Sequence, residues 1–220
     1  MLCTFNPSDT GSAITLSNAD LTATSGSGDG QSRGTVGYVG GSGSTAAINK
    51  LYWEMLFTTT AGQSGMGVSN TGEPNTDYLG ETSHGCGYYS NGNVAIQDLA
   101  EATLASFSNG ALVGMAIDFN LQKAWWTLNG STWNNDIITN QNPATGVGGF
   151  DIGSFGAGGG VFGDTDNWYL VFPSFGSATS GNVSTANFGG SAFGYTPPSG
   201  FSAWAATFNP TLGMFSLIQR

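Results

Sequence analysis

The 220-residue chain holds a single histidine, His84, and a cysteine two positions later, Cys86. An imidazole beside a thiol is the pairing that activates a cysteine nucleophile. In an extended strand, however, residues two apart share a face with their Cα atoms nearly ~7 Å apart. His84-Gly85-Cys86 is therefore expected to place a histidine and a small thiol on one strand face. Any histidine-dependent triad must use His84, and no G-x-S-x-G elbow accompanies it. Carboxylates offer no better start. Glycoside hydrolysis with retention needs two carboxyls about 5 Å apart, and Glu54 stands alone on its strand pattern. Asp164 and Asp166 form an i, i+2 pair, but no third acid closes the loop as a calcium site would require, so a solvated turn is expected. Gly156 to Gly160 lacks a following Lys-Ser/Thr and is no phosphate loop. No catalytic residue, no cofactor and no metal is expected.

Aromatic side chains are the remaining source of binding chemistry. Trp125 and Trp126 are adjacent, so one must point away from the core in a regular strand. Trp133, Tyr78, Tyr88 and Tyr89 lie in or beside loops. Aromatic faces next to adaptable amides are how loops stack on sugars and anchor protein partners. The expected ligand or partner surface is therefore Tyr78, Trp133, Asn134 and Asn135.

The elements that carry these residues follow a period of two. Leu51, Trp53, Met55 and Phe57 alternate with Tyr52, Glu54, Leu56 and Thr58, the pattern of a half-buried strand. Ala111–Phe119 repeats it, and Lys123–Leu128 follows after three residues as the second arm of a hairpin. Asn129-Gly130 then supplies a turn dipeptide. Shorter strands are expected at Ala13–Ser17, Leu21–Ser25, Thr35–Val39, Met66–Ser69, Gly87–Ser90, Asn93–Ile96, Trp168–Phe172 and Val183–Phe188. Many short strands between Gly, Asn and Ser turns imply an all-β, two-sheet antiparallel sandwich. One segment departs from this pattern: Ile96, Leu99, Ala100, Thr103, Leu104 and Phe107 recur at helical spacing, which predicts a short helix with Asp98 near its N-terminus. Residues 133–167 form a Gly/Asn-rich insertion of little pattern.

Charge narrows the partners. Only 8% of residues are charged, and 14 acids against four bases give a net charge of −10. Arg33, Lys50, Lys123 and Arg220 are dispersed, so there is no basic field to neutralise phosphates, and neither nucleic acid nor an anionic membrane is an expected partner. Glycine, at 36 residues, is about twice its usual share. Residues 1–7 lack a basic, apolar leader pattern, so no secretory signal is expected. Two cysteines, Cys3 and Cys86, do not make a disulfide framework. Residues 206–220 are uncharged up to Arg220 and carry Phe208, Leu212, Met214, Phe215, Leu217 and Ile218. Burying such side chains is worth roughly 1.5–3 kcal/mol each, so they are expected to act as an assembly segment beyond a domain spanning 1–205.

Three stretches resemble SPRY domains, which share a concanavalin-like jelly-roll sandwich. Leu51-Tyr52-Trp53-Glu54 is similar to their KxYWEV strand. Gly110–Phe119 with Lys123–Gly130 is similar to their GDVIGVALDLDxGxLWFSxNG hairpin, although the acidic turn is replaced by Asn120-Leu121-Gln122. Tyr169–Pro173 and Val183–Gly189 are similar to LYPAVSL and VTANFG. The ending Phe193–Phe201 and the opening Asn6–Asp9 resemble phage-encoded members. The resemblance implies a non-enzymatic recognition or scaffolding domain. The expected function is a structural or decoration component of a bacteriophage-like particle (head, fibre or tail), located in the virion and contacting itself and other particle proteins. The alternative is a lectin-like module of a bacterial surface that binds carbohydrate or protein.

Overall fold

The structure, a computed structural model, describes residues 2–39, 49–153 and 170–204. Every regular element among them is a strand: β1 (Phe5–Thr10), β2 (Ile14–Ser17), β3 (Thr22–Ser25), β4 (Gly30–Gly34), β5 (Tyr38–Val39), β6 (Lys50–Thr59), β7 (Ser64–Ser69), β8 (Gly85–Tyr89), β9 (Asn93–Ile96), β10 (Leu99–Thr103), β11 (Ala111–Asp118), β12 (Lys123–Thr127), β13 (Phe150–Asp151), β14 (Leu170–Ser177), β15 (Val183–Asn187) and β16 (Ser202–Ala203). They form two sheets. One runs β1-β4-β14-β7-β8-β9-β10, with β5 pairing β14. The other runs β13-β12-β11-β6-β15-β3-β2, with β16 pairing β6. All pairings are antiparallel except β16 on β6. This is the expected two-sheet sandwich.

The alternation puts the core where period two predicts it. Leu51, Trp53, Met55 and Phe57 of β6 and Val113, Met115 and Ile117 of β11 join one buried cluster between the sheets. Trp53 stacks on Phe188 at 5.2 Å, and Phe188 takes the edge of Phe5 at 5.4 Å. Trp53, Met115, Ile117 and Phe188 are all at most 1% exposed.

Three expectations need correction. The predicted helix over 96–107 is a β-hairpin: β9 and β10 pair with Ile96 opposite Leu99, around Gln97 and Asp98, both at positive φ. Positive φ at both central residues is a type I′ turn, whose twist suits a hairpin and rules out a helix start. Strand β6 is half-buried only in its second half, where Leu56 and Thr58 are exposed, because Tyr52 and Glu54 on the same face are as buried as Trp53. Loops from elsewhere cover the first half of that face. The strand expected at Thr35–Val39 is only Tyr38–Val39, while the long partner of β14 lies upstream in the polar run Gly30–Gly34. The expected strand at 168–172 begins, within the described residues, at Leu170.

Candidate functional site

The groups that could do nucleophilic or acid–base work are committed to the fold. Cys86 is fully buried in the inter-sheet core, and burial together with the nearby Glu73 carboxylate pushes its thiol well above the ordinary range. His84 is half-buried, and its Nδ1 lies 3.4 Å from Asn70 Nδ2. Burial lowers the pKa of His84, favouring neutral imidazole. Glu54, 1% exposed, accepts the Tyr52 hydroxyl (2.8 Å) and the amides of Gly194 (2.7 Å) and Tyr195 (2.8 Å). It therefore pins the C-terminal segment to the outer face of β6. Gly114 makes this possible, since a Cβ there would collide with the Tyr52 hydroxyl. Among the described residues no three His, Cys, Asp or Glu side chains are placed to hold a metal ion.

The four expected ligand residues are not brought together. Trp133 is 4% exposed and packs with Tyr52, Ala116 and Trp125 in a second core on the outer face of the β6-β11-β12 sheet. Its ring meets Tyr52 edge-on at 6.4 Å, as does Phe193 at 4.9 Å. Trp133 is thus a roof over an otherwise bare apolar face and offers no open ring to a ligand. Trp126 points inward and Trp125 outward, as adjacency demands, but the roof covers Trp125 and Val147 O accepts its indole N–H at 3.2 Å. Asn134 is also buried: its Oδ1 accepts Trp126 N–H at 2.9 Å, extending the free edge of β12. Asn134 and Asn135 both take positive φ between the bridged residues Trp133 and Asp136, so they are turn formers. Only Asn135 is exposed, and it borders a cavity with Tyr88, Trp126 and Asn129. The aspartates at 164 and 166, the glycines at 156–160, and Phe208, Leu212, Met214, Phe215, Leu217 and Ile218 lie outside the described residues.

Tyr78 sits elsewhere, in the loop joining β7 to β8. This loop roofs the outer face of the other sheet: Leu79 packs on Tyr89 and Ala95, with Tyr78 alongside, and Gly87 and Gly176 leave room for the Leu79 side chain. A buried polar network that sequence patterning does not signal holds the loop. Arg33, 3% exposed, donates through Nε and Nη2 to both Asp9 carboxylate oxygens at 2.8 Å. Its Nη1 donates to Asn70 O (3.0 Å) and Glu73 O (2.8 Å). The fully buried Glu73 carboxylate accepts Gly80 N–H (2.9 Å), Thr82 N–H (3.3 Å) and the Thr82 hydroxyl. Burial raises the pKa of Glu73 despite those donors.

The Tyr78 ring meets Tyr89 edge-on at 6.0 Å, and its hydroxyl donates to Asp98 Oδ1. These residues wall a second cavity, at the rim of the roof and beside the β9-β10 hairpin. The surroundings are acidic. Burial raises the pKa of Tyr78, and the Asp98 hydrogen bond and charge, then the charges of Glu81 and Asp29, push it higher. Burial likewise raises Glu81, with Asp77, Asp29 and Asp98 adding to the shift. Among the described residues every base is engaged: Arg33 on Asp9, Lys50 on Asp118 at 3.2 Å, and Lys123 on Gly148 O at 2.7 Å.

No protein-family model matches the chain, and no curated protein sequence does. Solved structures do match. The SPRY domain of human HERC1 superposes with a TM-score of 0.55 at 17% identity, covering 83% of this chain and 96% of that one. The PSpry domain of TRIM65 matches with a TM-score of 0.55 at 16% identity, over 85% of this chain and 90% of that one. Stonustoxin gives the same TM-score at 16% identity, but the match spans only 27% of its length. At this identity the likeness establishes a SPRY-type sandwich fold.

Proposed function

We propose that this chain is a non-enzymatic assembly and recognition domain, a structural or decoration component of a bacteriophage-like particle that contacts copies of itself and other particle proteins. The observation that carries the reading is the fate of its reactive groups. His84, Cys86, Glu54 and Glu73 are each held by burial or by hydrogen bonds that build the loops. What the surface presents is a pair of packed roofs over a rigid sandwich, a scaffold for contact. The SPRY-type fold agrees with such a role, and the resemblance of Phe193–Phe201 to phage-encoded members supplies the particle context. The apolar segment with Phe208, Leu212, Met214, Phe215, Leu217 and Ile218 supplies an assembly element.

The test is partition. Particles purified from the producing cells are banded on a density gradient, and their proteins are identified by mass spectrometry. The chain is expected to band with the particles at a fixed ratio to their major shell protein. Recovery only in the soluble or cell-envelope fraction refutes the particle role.

A further inference from the structure

The cavity beside Tyr78 is about 230 Å³, smaller than the roughly 300–1,000 Å³ of sites for drug-sized ligands. It has room for one small ring. Its lining includes Ala95, 8% exposed, and the edge-on pair of Tyr78 and Tyr89, whose ring centroids lie 6.0 Å apart. Both rings are fixed, Tyr78 by its bond to Asp98 and Tyr89 by donating to Leu79 O at 2.8 Å. Around the rim stand three side-chain amides, from Gln63, Asn91 and Asn93. They come from two adjacent turns and the start of β9. Asn91 Oδ1 accepts Asn93 N–H at 3.0 Å. Among the described residues, Asn91 Nδ2 and the whole side-chain amides of Gln63 and Asn93 make no hydrogen bond to the protein.

The lining selects a ligand class. Each free amide presents donors and an acceptor side by side, which suits a group that both donates and accepts. A hydroxyl does so. An ammonium or guanidinium is donor-only, so it could use the amide oxygens and Asp98 but none of the amide N–H groups. An anion would meet Asp98 inside the cavity and Glu81, Asp77 and Asp29 around Tyr78. A purely apolar ligand would strand the amides. We propose that this cavity is a binding subsite for one ring of a neutral saccharide, with Tyr78 and Tyr89 as its apolar walls and Gln63, Asn91, Asn93 and Asp98 bonding its hydroxyls. The Asp98 carboxylate accepts a Tyr78 hydrogen at Oδ1 and retains lone pairs for a sugar hydroxyl. The subsite is independent of the assembly role, so either can fail without the other.

The test is ligand-observed saturation-transfer NMR on the full chain. The probes are the methyl glycosides of glucose, galactose, mannose and N-acetylglucosamine, with argininamide and N-acetylneuraminic acid as cationic and anionic comparators. The variant Gln63→Ala/Asn93→Ala removes two amides that bond nothing in the protein, so it retains the fold. At least one neutral glycoside is expected to bind, and its Kd is expected to rise about tenfold or more in the double variant. Three results overturn the proposal: no glycoside binds up to high millimolar concentration, a glycoside binds both proteins equally, or only argininamide or N-acetylneuraminic acid binds at this cavity.

Discussion

Replacing Arg33 with alanine should damage the fold and the Tyr78 loop together. The guanidinium donates to both oxygens of Asp9 and to the carbonyls of Asn70 and Glu73. Removing one partner of a buried pair costs roughly 3–5 kcal/mol, because the other charge is left buried and uncompensated. The Asp9 side chain is 22% exposed, so it recovers some water and moves the expectation to the lower end. The two abandoned carbonyls move it back up, giving about 3–4 kcal/mol lost. Arg33→Lys should recover only part, since one ammonium cannot replace a planar fork. Urea denaturation followed by tryptophan fluorescence measures the loss, and hydrogen exchange at Gly80 and Thr82 reports on the loop. The acid dependence fixes the mechanism. Burial raises the pKa of Asp9, but hydrogen bonds from Arg33 and Asn75 and the charge of Arg33 outweigh it and leave the pKa lowered. A lowered folded pKa means the pair stabilises fully above the unfolded value of about 3.9 and ceases to do so as pH falls through the lower folded value. The gap between wild type and Arg33→Ala should therefore narrow below about pH 4. A loss under about 1 kcal/mol at pH 7, or unchanged exchange at Gly80 and Thr82, would refute the reasoning.

Four further outcomes are expected. Trp53→Ala should cost about 3–5 kcal/mol in urea denaturation, whereas Trp53→Phe should cost much less because it also removes a buried indole N–H that has no partner among the described residues. Trp133→Ala should lower stability by about 3 kcal/mol and expose the Tyr52–Trp125 face to a hydrophobic dye, the signature of a roof removed. Both thiols should resist a disulfide reagent in the native protein, since burial pushes Cys3 up to about 11 and Cys86 higher still, and both should react on unfolding. Truncation after Ala206 keeps Trp204, whose indole donates to Val36 O at 2.9 Å. It should leave a folded domain that sediments as a monomer and no longer joins particles, and an unfolded product would make the segment ordinary core.

The inner faces of β6, β11 and β12 were legible because alternation is a local property: Trp53 and Met115 declare their side through their neighbours. The outer faces were not. What covers Tyr52 and Trp125 arrives from Trp133, Phe193 and Phe201, and no local period signals a contact made by a loop far along the chain. The same limit explains why the burial of Trp133 was not legible, since a loop tryptophan beside two asparagines looks identical whether it roofs its own sheet or waits for a ligand. The false helix has a different origin. A two-residue turn places residues three apart opposite each other, as with Ile96 and Leu99, and that spacing imitates one helical turn. Positive φ at Gln97 and Asp98 decides the matter, and a Gln-Asp pair carries none of the Asn-Gly signal that would announce it. Strand β4 was missed because Gln31, Ser32 and Arg33 satisfy their polar groups internally, so its burial leaves no apolar trace.

The two roofs are built by opposite means, and that difference bears on where recognition can occur. The roof over β6, β11 and β12 is aromatic. Trp133 and Phe193 close directly on Tyr52, and an apolar contact of this kind is complete when it is dry. Among the described residues the roof over β8 and β9 has Leu79 and Tyr78 as apolar cover, and Arg33 and Glu73 set its position through directed hydrogen bonds. A roof fixed by polar anchors can hold its shape without filling every space below it. An opening lies at its rim, lined by Tyr78, Ala95 and residues of the β9-β10 hairpin. Around that opening the side-chain amides of Gln63 and Asn93 make no hydrogen bond among the described residues, whereas Arg33 and Glu73 under the roof are fully engaged. That contrast is the basis for proposing the saccharide subsite at the rim.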